Sequence, residues 1–246
     1  MKKNAKIGNS IIYLDSTDST NNYVAKLVKD QKAEFGQVIL ADQQTAGKGQ
    51  RDAKWVSEKG KNLLFSVYIS LDNLSVTRQL AIMQYTAVSI CEGLKEIGVE
   101  AQIKWPNDLY VRGKKMGGIL VENQIIGSNI VSSIIGIGVN VNQVNFDSII
   151  ASSIAEQLGK EQNRIQVLEI LLGKLNFFYP FIENSSELLQ SKYMENLYKL
   201  NTVATFYADS LGEFIGVITG VDEYGKLCVK HNNEVHRFEV KEIKFL

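Results

Sequence analysis

Seven apolar residues, Val76, Leu80, Met83, Ala87, Ile90, Leu94 and Ile97, recur at alternating steps of four and three, the spacing that lines one side of an α-helix. A helix that long in a chain of 246 residues is a core element, and the rest of the chain has to be arranged around it. Ser75 is expected to cap its start and Gly98 to stop it. After it come short apolar runs at 101–105, 109–111, 117–124 and 130–142, with Arg112-Gly113-Lys114 as a hairpin turn. Before it, residues 11–14, 37–42 and 62–70 read as strands. The polar run 15–21 caps a helix whose apolar face is Val24, Leu27 and Val28. Strands in such succession predict an α+β fold with a mixed or antiparallel sheet.

Helical patterning returns at 152–158 and 164–200, and Pro180 should break the second stretch. From about residue 202 the pattern changes to short strands with turns at Gly212, 222–225 and Asn232-Asn233. The expected division is a domain over 1–195 and a small β-barrel over 200–246.

Lys+Arg and Asp+Glu balance at 27 each, so the chain lacks the overall positive charge that nucleic acid or an anionic bilayer demands. Anion binding must be local. Cys91 and Cys228 lie in apolar runs without a CxxC pair, and His231 adds too few ligands for zinc. Both cysteines are expected to be plain core residues. No signal-peptide core and no apolar run of about 18 residues is visible, which leaves the cytoplasm as the expected location and no membrane partner.

Local charge concentrates in residues 43–61, where Lys48, Arg51, Lys54, Lys59 and Lys61 face only Asp52 and Glu58. Gly47 and Gly49 let a backbone approach a ligand closely, and free amides beside cations hold phosphate or carboxylate. A flexible loop of solvated lysines would look similar, but about 19 residues without regular structure are uncommon unless they bind something or are disordered. Lys104-Trp105-Pro106-Asn107-Asp108 sets a cation, a large ring, a rigid turn, an amide and a carboxylate side by side. Alone it reads equally well as a proline turn between strands. Lys115 then opens a strand containing Gly117 and Gly118, and Gly136-Ile137-Gly138-Val139-Asn140-Val141-Asn142 repeats the device. Glycine weakens a strand unless something must lie against its backbone.

Together these blocks resemble the signatures of biotin protein ligases: Ser19-Thr20-Asn21, the loop from Gln44 through Gly47-Lys48-Gly49-Gln50, residues 104–108, Lys115 to Leu120, and Gly136 to Asn140. The resemblance implies the class II synthetase-like biotin/lipoate ligase fold, with a small C-terminal Src-homology-3-like β-barrel. It implies biotin and ATP as substrates, Mg²⁺ as their metal, and transfer to a lysine of a biotin carboxyl carrier protein, with a sheet edge that could support a homodimer. Ser19, Thr20, Asn21 and Gln44 would meet biotin, and the Gly47–Gln50 loop would close over it. Trp55 would offer a ring beside the adenylate, while Gly118 and Gly138 would let ligand lie on the sheet. Asn107, Asp108 and Asn140 would line the nucleotide side, with Asp108 helping to hold Mg²⁺ or orient the incoming lysine. Lys115 would sit between biotin carboxylate and α-phosphate, with Lys104 and Arg51 neutralising the triphosphate.

Lys48, Gln50 and Ala53 stand where many members carry arginine. Some members also carry an N-terminal DNA-binding domain, whereas the pattern here starts by Ile11, so a ligase without repressor function and without a nucleic-acid partner is expected. A lipoate-type ligase or a passive biotin- or nucleotide-binding module are the competing readings.

Overall fold

A computed structural model describes residues 6–50, 53–147, 150–184 and 186–246. The chain runs β1 (Ile11–Leu14), α1 (Thr20–Lys29), β2 (Val38–Ala41), β3 (Leu63–Ser75), α2 (Leu80–Glu96), β4 (Gln102–Lys104), β5 (Asp108–Val111), β6 (Lys114–Ile126) and β7 (Asn129–Val139). It continues through α3 (Ile154–Leu158), α4 (Arg164–Phe178), α5 (Phe181–Asn184), α6 (Ser186–Glu195), β8 (Val203–Ala208), β9 (Gly212–Val221), β10 (Leu227–His231), β11 (Glu234–Phe238) and β12 (Ile243–Phe245).

The first seven strands form one mixed sheet in the order β1-β2-β3-β7-β6-β5-β4. Only β1 and β2 run parallel; the other pairs are antiparallel. The two faces differ in chemistry because side chains alternate along each strand. One face carries Leu63, Phe65, Val67 and Ile69 of β3 beside Val139, Ile137 and Ile135 of β7, all buried. On the other, cross-strand pairing sets Ser66, Gly136 and Leu120 in one row and Leu64, Gly138 and Gly118 in the next. Three of those six positions have no side chain, so this face has a hollow where the first has a packed core.

The helix predicted over 76–97 is present, with a different start. Ser75 caps a single 3₁₀ turn, Val76–Arg78, by accepting from the Thr77 amide at 3.3 Å, and the α-helix begins at Leu80. Gly98 ends it at φ +95°, a conformation that costs glycine little. The helix is not the one-sided seam its periodicity suggests. Ala81, Ile82, Tyr85, Val88, Ser89 and Cys91 are buried as well, because α4 and α6 close over the side facing away from the sheet. The Tyr85 hydroxyl donates to the Leu175 carbonyl of α4 at 3.0 Å, and Leu171 presses so near Gly93 that a Cβ there would lie 2.6 Å from its Cδ2.

The long helical stretch after residue 164 is split at Tyr179-Pro180 into α4 and α5, followed by α6. Within residues 164–184 an 18-residue window reaches a mean hydropathy of 1.3, enough by length and composition alone to cross a membrane, although Gln166, Glu169, Lys174 and Asn176 interrupt any continuous apolar run. Its apolarity has a packing cause: Val167, Leu168, Leu171, Leu172, Leu175 and Phe178 are core residues.

The C-terminal strands form a five-stranded antiparallel sheet, β11-β10-β9-β8-β12, with β11 and β12 as its edges. Phe206, Phe214, Val229 and Phe238 belong to the same continuous core as the first sheet. The two sheets are tied along β4: the Ile103 amide donates to Asn196 O at 2.7 Å, the Tyr198 amide donates to Ile103 O at 2.9 Å, and Trp105 Nε1 donates to Gly225 O at 2.9 Å.

Candidate active site

The hollow face of the sheet is roofed by the start of α1 and by residues 44–50 and 53–55. Together they enclose a cavity of about 190 Å³ lined by Ser19, Thr20, Asn21, Gln44, Lys48, Gly49, Gln50, Lys54, Trp55, Asn107, Asp108, Lys115, Gly118, Gly136 and Gly138, with Ala53, Ile119, Leu120 and Ile137. Ser19 holds the N-cap position of α1 in extended conformation, yet its side chain makes no capping bond. The Gln44 side-chain oxygen accepts from the Thr20 amide at 2.8 Å and lies 3.1 Å from the Thr20 hydroxyl. Beneath them Ser66 Oγ lies 2.7 Å from Thr20 Oγ1 and 2.6 Å from Asn21 Oδ1, while Asn21 Nδ2 donates to Glu122 at 2.6 Å. This end of the cavity is neutral and polar.

The other end is charged. Lys115 Nζ pairs with Asp108 Oδ1 at 2.6 Å, both side chains about a quarter to a third exposed. Lys48 and Lys54 add positive charge, and Asp108 is the sole carboxylate among the described lining residues. Lys115 is placed from outside as well, since its backbone exchanges hydrogen bonds with Ile150 and Ser152.

Between β2 and β3 no helix or strand occurs among the described residues, as expected of a loop, and residues 47–49 are drawn against 53–55. Gly47 O accepts from the Trp55 amide at 2.9 Å, Gly49 N donates to Ala53 O at 2.7 Å, and Lys48 and Lys54 bridge antiparallel. A Cβ on Gly47 would meet Trp55 O at 2.5 Å, so this glycine serves the hairpin and does not line the cavity. The strand glycines also have protein against them. At Gly138 a Cβ would stand 2.8 Å from the Trp55 ring, and at Gly136 it would collide with the Asn21 amide. Gly138→Ala is therefore expected to cost about 1–3 kcal/mol by overpacking, less in a Trp55→Ala background; equal urea midpoints for Gly138→Ala and wild type would show that the ring does not rest there.

Two of the expected site residues, Lys104 and Asn140, lie outside the cavity lining, and a third, Asn107, lines it with its amide already engaged. Lys104 does not line the cavity: its ammonium lies 3.1 Å from the Tyr110 hydroxyl and 5.0 Å from the Phe245 ring centroid, at the junction with the C-terminal sheet. Burial there holds its pKa below the ordinary lysine value, with Asp108 opposing the shift. Asn140 is buried and donates to Ser152 O at 3.1 Å, so its amide anchors the segment that pins Lys115. Asn107 does line the cavity, but its Nδ2 donates to Ile119 O at 2.7 Å, closing the turn that presents Asp108. Arg51 lies outside the described residues.

Ser66 and Glu122 are additions the sequence reading missed. A lone serine within the apolar run of β3 was the available signal; Glu122 gave none.

Residues 13–140, the span holding every lining residue, match the model of the biotin/lipoate A/B protein ligase family. The chain belongs to that family. Over 98% of its length it is 32% identical to the bifunctional ligase/repressor BirA of Bacillus subtilis, of which it spans 76%. It is 26% identical to the biotin--[acetyl-CoA-carboxylase] ligase of Mycobacterium tuberculosis, over 79% of this chain and 73% of that one. Among solved structures, biotin protein ligase from Aquifex aeolicus in complex with biotin and ATP has a TM-score of 0.77 at 27% identity, over 96% of this chain and 98% of that one. The family's fold thus extends past the matched span into the C-terminal sheet.

Proposed function

We propose that this chain is an ATP-dependent biotin protein ligase, and the observation that carries the reading is the polarity of this cavity. A neutral wall of hydroxyl and amide groups suits a urea, which needs both donors and acceptors. The opposite end, with Lys48, Lys54 and Lys115, suits a carboxylate and a triphosphate. Biotin carries the urea and the carboxylate at its two ends.

In the first half-reaction the biotin carboxylate attacks the α-phosphorus of ATP, forming biotinyl-5′-AMP and releasing pyrophosphate. Negative charge builds on the phosphoryl oxygens, and Lys115 is the cation placed to meet it. In the second, the amine of an acceptor lysine attacks the acyl carbon and AMP leaves. Asp108 is the carboxylate available to steer that amine and draw off its proton. Lys104 acts on the triphosphate only indirectly in this reading, by fixing β4 and hence the turn bearing Asp108. At about 190 Å³ the cavity is smaller than the roughly 300–1,000 Å³ usual for ligand sites. The Trp55 hairpin therefore shifts to admit both substrates. Trp55 Nε1 is buried without a hydrogen-bond partner among the described residues, so moving the ring breaks no bond.

Among the described residues no group of three His, Cys, Asp or Glu could hold a metal, and Asp108 is engaged by Lys115. The described side chains do not form a resident magnesium site; in this reading magnesium enters as the counter-ion of ATP, with Asp108 at most one oxygen ligand. The acceptor we propose is a biotin carboxyl carrier protein, and the location the cytoplasm. Strand β6 pairs with β5 only as far as Gly118. Beyond Ile119 its outer edge meets no strand among the described residues and ends in the exposed Ile125 and Ile126. Such an edge is a template for pairing, and we assign it to a homodimer.

Incubation with biotin, Mg·ATP and unmodified carrier protein is expected to add one biotinyl group to one carrier lysine by mass spectrometry. Modification with lipoate or octanoate in place of biotin, and none with biotin, would assign the chain to the other branch of the family.

A further inference from the structure

The register of the first sheet sets Lys104 directly opposite Asp108 across β4 and β5, in the row that continues through Gly118 and Gly138. Opposite charges facing each other in this way attract and usually pair. Here no ion pair joins them. Asp108 Oδ1 is taken by Lys115 at 2.6 Å. The Lys104 ammonium instead donates to the Tyr110 hydroxyl at 3.1 Å and lies 4.5 Å from the Tyr110 ring centroid and 5.0 Å from that of Phe245. Resting on the biotin reading above, we infer that Phe245 of the C-terminal sheet, together with Tyr110, diverts Lys104 from Asp108 and so leaves one Asp108 oxygen open to the amine of the acceptor lysine. Phe245 and Tyr110 are thus positioning residues for the transfer step.

Tyr110 stands two residues beyond Asp108 on the same face of β5, so its ring is a diagonal neighbour of Lys104, within reach of a long side chain. Phe245 comes from the other side and is held there. It pairs with Phe206 in the β8–β12 ladder and meets that fully buried ring edge-on at 5.3 Å. Tyr198 fills the remaining gap, 5.4 Å from the Tyr110 ring and 6.5 Å from that of Phe245. Ring faces attract a cation more strongly once water is stripped from it, and Lys104 is partly buried. The depressed pKa of its ammonium, set by burial and only opposed by Asp108, fits a cation with no carboxylate in contact. Asp108 Oδ2 consequently has no hydrogen-bond or ionic partner among the described residues, and the side chain is 26% exposed. In the transfer step the acceptor nitrogen bonds to the acyl carbon, the bond from that carbon to the AMP oxygen breaks, and the proton shed by the amine passes to this open carboxylate oxygen. A second ammonium on Asp108 would occupy the oxygen and weaken it as a base. Lys115 is fixed independently by its backbone bonds to Ile150 and Ser152, so adenylate formation depends less on the diversion than transfer does.

Phe245→Leu keeps apolar contact with Phe206 and removes the ring face. Single-turnover transfer from bound biotinyl-5′-AMP to the carrier protein should slow by about tenfold, part of what a general base supplies, with pyrophosphate exchange within about threefold of wild type. Tyr110→Leu, on the other side of the ammonium, should show the same split. Phe245→Tyr, which keeps a ring, should transfer within about twofold of wild type. Because the effect runs through Lys104, Phe245→Leu should cost nothing further in a Lys104→Met background, a non-additivity that a merely structural role would not produce. NMR titration of the Lys104 side chain gives an arm free of substrates. Its midpoint should lie below that of ordinary lysines in wild type and rise in Phe245→Leu as Asp108 comes into contact. An unmoved Lys104 midpoint, equal losses of exchange and transfer, or a full transfer loss persisting in the Lys104→Met background overturns the inference. Should wild type neither exchange nor transfer with biotin, it is the biotin reading that fails, and the titration still decides whether Phe245 keeps Lys104 from Asp108.

Discussion

Replacing Lys115 by alanine lowers biotin-dependent adenylate formation about 100-fold or more while leaving the unfolding midpoint almost unchanged. Its ammonium is the cation of the cavity held in a defined place, 2.6 Å from Asp108 and beside the Trp55 ring at 5.8 Å. Removing it takes away a charge-assisted contact worth roughly 1.5–3 kcal/mol to carboxylate or phosphate oxygen, and more where charge grows in the transition state. It also leaves Asp108 as an uncompensated negative charge facing a triphosphate. At about 1.4 kcal/mol per decade of rate these effects reach 100-fold. Stability should fall by less than about 1 kcal/mol, because the side chain is 31% exposed and solvent screens such a pair. The adjacent Lys114 supplies the control. It pairs with Glu156 at 3.0 Å outside the cavity, and Lys114→Ala should leave exchange within about twofold. Comparable exchange by the Lys115→Ala and wild-type proteins rejects the role given to Lys115.

Arg51→Ala is expected to slow exchange by about 100-fold as well, and Gln50→Ala far less. Family members often carry arginine where Gln50 stands; Gln50 lines the cavity here, yet a neutral amide cannot compensate charge developing on the α-phosphate. The guanidinium fork of Arg51, next in the chain, can grip two phosphate oxygens, whereas Lys48 and Lys54 are single-point cations. Both variants should be compared in exchange rate and in release of free biotinyl adenylate, because a hairpin that grips poorly leaks the intermediate. A larger loss from Gln50→Ala would move the phosphate contact to Gln50 and remove Arg51 from the mechanism.

What the sequence made legible, and what it did not, divides along a physical line. The 3.6-residue spacing of 76–97 revealed the central helix, because periodicity records one buried face. It could not show that α4 and α6 bury the opposite face, since Ala81, Ser89 and Gly93 become core only when partners 70 or more residues away arrive. Motif blocks located Thr20, Gln44, Asp108 and Lys115 at one cavity. They could not tell which members of a block face it: Lys104, Asn107 and Asn140 hold the frame around the site through Tyr110, Ile119 and Ser152. The strand glycines were rightly read as places where something lies against the backbone. That the occupants are the protein's own Trp55 and Asn21 depends on the folded-back hairpin and on how α1 packs against β3 and β7, which no local pattern encodes. Glu122 was invisible for the same reason, since its partner Asn21 lies 101 residues away.

The account stands most directly on exchange of labelled pyrophosphate into ATP, measured with the purified chain in the presence and absence of biotin. It predicts exchange that needs biotin, is unsupported by lipoate or octanoate, and is lost in Lys115→Ala. Exchange independent of biotin, or none in a folded protein supplied with biotin and Mg·ATP, would contradict it.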